Sequence, residues 1–163
     1  MKYSAKEPYY VETFYKVFQI KDADSLIVKN EVTKEEKEIR LYGIDSPEIR
    51  INRKLKIDEE KSHLPASLLM ELGWEARRYL TNVLSIGDNI TLITEYKNAY
   101  DYYYRQLAYV ILPNGECLNE LLLQNGYAKA SREYYCSKLP EYQLMNRQAQ
   151  INRRGLYAKI PHF

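Results

Sequence analysis

Ile39-Arg40-Leu41-Tyr42-Gly43-Ile44-Asp45-Ser46-Pro47-Glu48 is the stretch on which the reading of this chain turns. Its first half has the β-branched and apolar residues of a strand, and Asp45 ends that strand. Pro47 drives Ser46 toward an extended backbone, so the Ser46 carbonyl can turn sideways as a neutral oxygen ligand. Glu48 then lies just beyond the turn, near such a ligand set but outside it. Taken alone, Asp-Ser-Pro-Glu is also an ordinary turn or helix opener. Arg40 alone, between Ile39 and Leu41, reads as an ion-paired or solvated edge group.

On the N-terminal side, Val11–Ile20 and Ser25–Val32 read as strands, punctuated by Asp22-Ala23-Asp24. Thr33–Lys37 is a charged hairpin tip, and Glu38–Ile44 completes a three-strand meander. On the C-terminal side, 49–73 reads as a long exposed loop that contains a possible short helix, Pro65–Leu72, stopped by Gly73. Connections beyond ~12–15 residues are uncommon and tend to be functional or mobile. Trp74–Leu84 repeats apolar residues at helical spacing through Ala76, Tyr79, Leu80 and Val83. Asn89–Tyr96 is a strand. Gln106–Leu112 is almost continuously apolar, as suits a strand covered on both faces.

Leu118–Gln124 is a short helix capped by Asn125-Gly126. Residues 137–154 form a last helix, with Ser137 as its cap, Pro140 in its first turn and Leu144, Met145 and Ala149 facing inward. The sum is one α+β domain over 1–163, with five strands, about three helices and an extended tail over 1–10.

Composition narrows the chemistry. The 163 residues carry 24 Lys and Arg against 22 Asp and Glu, a net charge of +2, so no global field draws the chain onto DNA or anionic lipid. The two histidines, His63 and His162, lie outside periodic elements, which argues against a Ser-His-Asp triad or a histidine-rich zinc site. Cys117 and Cys136 read as free buried thiols. No apolar run is long enough to span a membrane. The N-terminus lacks the apolar stretch of a signal peptide. The expectation is therefore a cytoplasmic protein, or a secreted or periplasmic one if a leader was removed, and a monomer.

What remains is carboxylates and arginines: Asp24, Asp45 and Glu48 at strand ends, Arg40 and Arg105 in or beside strands. Carboxylate oxygens are hard ligands for Ca²⁺ or Mg²⁺, and guanidinium forks fit phosphate oxygens. That set suits metal-assisted phosphodiester hydrolysis.

Asp22-Ala23-Asp24-Ser25, the 39–48 stretch, and Asp101-Tyr102-Tyr103-Tyr104-Arg105-Gln106-Leu107-Ala108-Tyr109 resemble, in order and spacing, the three signature segments of the staphylococcal nuclease (thermonuclease) family. Leu118-Asn119-Glu120, Gly126-Tyr127-Ala128-Lys129 and Gly155-Leu156-Tyr157 extend the resemblance over roughly 11–157. It implies a five-stranded OB-fold β-barrel with about three helices. It also implies a calcium-dependent endonuclease that cuts single-stranded or frayed DNA and RNA and leaves 3′-phosphate ends.

Residue by residue, the resemblance implies that Asp24, Asp45 and the Ser46 carbonyl hold calcium (magnesium as the lesser alternative). Glu48 acts as general base, and Arg40 and Arg105 clamp the scissile phosphate. Tyr103 lies near a terminal phosphate, and Tyr134 beside the base. Arg132 stands where a second base-flanking tyrosine is usual. Ala23 and Tyr104 replace family glycines. The alternative is a non-catalytic OB-type nucleic-acid-binding module of the same family; a protein-interaction domain is a third. Joint retention of Asp24, Arg40, Asp45, Glu48 and Arg105 separates the enzyme from both.

The tyrosine excess, 17 against three phenylalanines and one tryptophan, is assigned mostly to strands and half-buried surface, with base stacking reserved for Tyr103 and Tyr134. Residues 129–163 hold seven basic residues against two acidic ones, a bias suited to a phosphate backbone.

Overall fold

The almost continuously apolar segment Gln106–Ile111 (β6) is buried at every position. That burial requires cover on both faces, and the computed structural model, which describes residues 8–163, shows a closed barrel with helices packed outside. The barrel order is β1 (Tyr9–Asp22), β2 (Ser25–Asn30), β3 (Glu36–Leu41), β6 and β5 (Asn89–Glu95). β1 closes it: the first half of this 14-residue strand pairs with β5 and the second with β2. Its register slips between Glu12 and Tyr15, where Phe14 takes a positive φ, and again further on. Such bulges bend a long strand around a small barrel. The expected tail over 1–10 ends earlier, since Tyr9 and Tyr10 belong to β1; residues 1–7 lie outside the described residues.

Two short strands, β4 (Ile44–Asp45) and β7 (Lys129–Ala130), pair beside the barrel. Gly43, between β3 and β4, has φ 71°, and a Cβ there would lie 2.7 Å from the Tyr142 ring. Only glycine satisfies both conditions.

Among the described residues there are four α-helices, one more than the sequence suggests. The stretch expected to be an open loop holds α1 (Arg53–Ser62), capped by Asn52, whose side chain accepts from the Leu55 amide. The expected break at Gly73 is absent. One helix, α2 (Ala66–Val83), runs through it, and Leu69, Leu72, Ala76 and Leu80 form a single buried stripe. Gly73 is there for proximity: a Cβ would meet the Pro47 carbonyl oxygen at 2.6 Å and the Ile49 side chain at 2.8 Å. The loop after β4 lies directly on α2.

α3 (Leu118–Gln124) has the expected bounds, and α4 (Leu139–Ile151) starts two residues later than expected. Ser137 does not cap α4. Its amide instead donates to the buried Glu95 carboxylate. Leu144, expected inside, is 66% exposed, and Tyr142 fills the core in its place. Cys117 and Cys136 are free and buried, and burial pushes their thiols up, to about 12 and about 11.

Candidate active site

Strand register assembles the site. Ser25 pairs with Arg40 across β2–β3, which puts Asp24 at the arginine. β3 and β6 run parallel with Arg40 opposite Leu107, so Arg105, two residues before, rises from the same rim. The β4–β7 pair sets Asp45 against Lys129 and anchors the 129–134 segment. The Gly43 amide donates to the Tyr134 carbonyl, which fixes that aromatic beside the arginine.

Arg40 is 1% exposed and both terminal nitrogens of its fork are engaged. Nη2 lies 3.1 Å from Asp24 Oδ2 and 3.2 Å from Asp45 Oδ1. Nη1 donates to the carbonyls of Asp24, Leu41 and Ile44 at 3.3, 3.1 and 3.0 Å. Its guanidinium stacks 3.5 Å over the Tyr134 ring. The bland reading of a solvated edge group is therefore corrected: this arginine is built into the wall, joins the two aspartates and lines a small recess beside them. A buried guanidinium is tolerated because carboxylates and carbonyls replace its water.

The second arginine differs. Arg105 lines an open cleft of about 780 Å³ together with Asp45, Glu48, Lys54, Tyr103 and Tyr134. Asp101 positions it. The Asp101 carboxylate accepts from the Tyr103 and Arg105 amides through one oxygen and from Arg105 Nε, at 2.8 Å, through the other. Tyr103 is 73% exposed at the cleft mouth, with its ring 5.8 Å from the Arg105 guanidinium. Tyr104 has φ 61° and is 88% exposed, so the turn keeps a glycine conformation without glycine. Ala23 shows no such strain; it is buried and its φ is not positive.

The acidic groups converge. Asp24 Oδ2 accepts from the Ser46 amide at 2.9 Å. Glu48 is buried at the cleft edge, its Oε1 accepting from the Ile49 and Arg50 amides. Burial works to raise the Asp24 carboxyl, but Arg40, Lys54 and the Ser46 amide outweigh it and hold it below the usual range. Asp45 goes the other way: burial and the Asp24 charge raise it against the pull of Lys54 and Arg40.

Three residues that the sequence did not single out complete the cage. Asp22, read as a turn residue, lines a small recess with Asp24, Arg40 and Glu48 and accepts from Arg50 at 2.8 Å. Burial, then Asp24 and Glu48, push its carboxyl up to about 6. Arg50 thereby links Asp22 to the Glu48 turn. Lys54, at the start of α1, lies 3.2 Å from Asp45 Oδ1 and 3.5 Å from the Ser46 carbonyl oxygen. Burial acts to lower its ammonium, but Asp45, Asp24 and Asp58 hold it above the ordinary lysine range.

Other expected contributors fall outside. Arg132 is exposed and absent from the cleft lining. Most of the positive bias of 129–163 is directed elsewhere: Lys138 pairs with Glu120, Lys159 with Glu75, and Arg154 with the Gln124 carbonyl. Lys129 alone of that segment's lysines and arginines lines the cleft.

The donor set suits a hard divalent cation. Two carboxylates and a carbonyl supply oxygens, and waters complete the shell such ions favour. The Lys54 ammonium lies against Asp45 Oδ1 and the Ser46 carbonyl oxygen, two of these oxygens. Among the described residues no cluster of three or more His, Cys, Asp or Glu side chains has metal-holding geometry.

Comparison with known proteins agrees with this architecture. Residues 38–159 match the staphylococcal nuclease homologue family. Over 112 residues, 69% of this chain, it is 35% identical to the endonuclease YhcR of Bacillus subtilis, and spans only 8% of that protein's length. It is 33% identical over 156 residues to the uncharacterised protein MJ1439 of Methanocaldococcus jannaschii, covering 90% of this chain and 72% of that one. Among the described residues no helix is long and apolar enough to cross a membrane. From barrel, site and matched residues together, the chain belongs to the staphylococcal nuclease homologue family.

Proposed function

We propose that the protein is a calcium-dependent phosphodiesterase, an endonuclease acting on single-stranded or frayed DNA and RNA and leaving 3′-phosphate ends. The observation that carries this is the convergence of Asp24, Asp45, the Ser46 carbonyl, Glu48 and Arg105 on one cleft wall, with Arg40 locked behind them. A binding module needs positive charge at this rim, not a cage of buried carboxylates. YhcR, which carries the endonuclease name, favours the same reading.

Asp24, Asp45 and Ser46 would hold the metal. When bound, a divalent cation adds positive charge at the phosphate oxygens and polarises the attacking water. Glu48, immobilised by two amides, accepts the water proton. Arg105, aimed by Asp101, meets the charge that builds on phosphorus. Arg40 keeps the two aspartates together and adds a fixed positive charge from behind. Tyr103 stands at the mouth to meet the strand, and Tyr134 presents a ring backed by Arg40.

The decisive assay incubates the chain with single-stranded DNA and RNA, with Ca²⁺ or with chelator, and examines the product ends. Metal-dependent cleavage to 3′-phosphates is expected. Glu48→Gln should lower the rate by about 10²–10⁴ while the fold is retained. Absence of cleavage by the native chain overturns the enzyme reading and favours the binding module; an unchanged rate in Glu48→Gln removes Glu48 as base.

A further inference from the structure

Lys54 touches two of the atoms assigned to the metal. Its ammonium lies 3.2 Å from Asp45 Oδ1 and 3.5 Å from the Ser46 carbonyl oxygen. It is also 2.8 Å from Asp58, one helical turn further along α1. This placement is built in rather than incidental. Asn52 caps the first turn of α1, Leu55 anchors the helix in the core, and the Ser62 hydroxyl donates to the Asp58 carbonyl at the far end. The helix therefore holds Lys54 over the carboxylates from a fixed base.

We infer that Lys54 is an intramolecular rival of the divalent cation, vacating Asp45 and the Ser46 carbonyl for Asp58 each time a metal ion is taken up. Two cations cannot share those oxygens at about 3 Å separation, where repulsion between unit charges is severe even with partial screening. The cage already balances two buried aspartates with Arg40 and Lys54. Uptake of a metal with Lys54 in place would set two further positive charges directly against the ammonium. Asp58 supplies the alternative seat. It is already bonded to the ammonium, so release from Asp45 requires rotation of the outer lysine bonds and no movement of α1. The residue would thus set the metal affinity and keep the aspartates neutralised when metal is scarce.

This inference rests on the metal reading above, and the test separates the two. Calcium binding is measured by isothermal titration calorimetry without nucleic acid, for the native chain, Lys54→Met, Asp58→Asn and Lys129→Met, each checked for native circular dichroism. Lys54→Met should bind Ca²⁺ at least about tenfold more tightly, since it removes a contacting charge. Asp58→Asn should bind about threefold or more weakly, because Lys54 loses its second seat. Lys129, opposite Asp45 in the β4–β7 pair but bonded to the Phe163 carbonyl, is the control for diffuse charge; its variant should stay within about threefold of native. Equal affinity in native and Lys54→Met, or an equal gain in Lys129→Met, overturns the rivalry and leaves the metal reading standing. No Ca²⁺ uptake by either native chain or folded Lys54→Met overturns both.

Discussion

Gly73→Ala tests how the site is held. On local grounds the substitution should help, because alanine in a helix interior is favoured over glycine by about 1 kcal/mol. The tertiary contact opposes it. The added methyl would lie 2.6 Å from the Pro47 carbonyl oxygen, 2.8 Å from Ile49 Cγ2 and 3.1 Å from the Glu48 carbonyl carbon. Relief to the 3.4 Å of ordinary contact requires a shift of about 0.8 Å at Pro47. Backbone atoms, not flexible side-chain ends, must move. Overpacking of this kind typically costs about 1–3 kcal/mol, which leaves a net destabilisation of about 0–2 kcal/mol. The larger effect falls on chemistry. The displaced loop carries the Ser46 carbonyl and Glu48, and misplacement of reacting groups by about 1 Å lowers rates by about 10²-fold. A loss of about 10- to 100-fold in the initial rate of single-stranded DNA cleavage at saturating Ca²⁺ is therefore expected, with a thermal midpoint unchanged or lowered by a few degrees. A variant stabilised by about 1 kcal/mol with a native rate would refute the close approach of α2 to this loop.

Four further substitutions probe other parts of the design. Arg40→Met leaves Asp24 and Asp45 without their shared buried partner, and denaturant unfolding should show a loss of about 3–5 kcal/mol; a loss under 1 kcal/mol would mean the guanidinium is dispensable to the fold. Asp101→Ala frees Arg105 and the Tyr103 turn, so kcat should fall at least about tenfold, and an Arg105→Ala variant should show little additional loss when Asp101→Ala is added; full additivity would show that Asp101 does not act through Arg105. Tyr104→Gly relieves the left-handed backbone and should raise stability by about 0.5–1 kcal/mol in chemical denaturation, whereas destabilisation would show that the exposed ring packs usefully.

The sequence carried the barrel and the set of candidate site residues. Near-continuous apolarity in Gln106–Ile111 and the apolar strand patterns are local signals of local requirements, and each appears in the fold. Asp24, Arg40, Asp45, Glu48 and Arg105 were legible because the ordered segments that carry them resemble the signature segments of the staphylococcal nuclease family, and strand pairing brings those segments together. The 53–62 helix was harder to see. Leu55 is its only buried large apolar residue, so it has no apolar stripe, although Asn52 as a cap and the Lys54–Asp58 spacing were readable hints. Gly73 was misread because a glycine in a helical pattern means either a stop or a close approach, and only the packing partner distinguishes them.

Burial and charge balance lie beyond any one-dimensional pattern. That Arg40 is walled in while Arg105 lines the cleft, that Asp22 joins the acids, that Arg132 does not reach them, and that Lys54 lies on Asp45 all depend on which segments meet in space. A residue's chemistry is local to the chain, but its dielectric surroundings and partners come from segments tens of residues away, and tertiary structure alone supplies those.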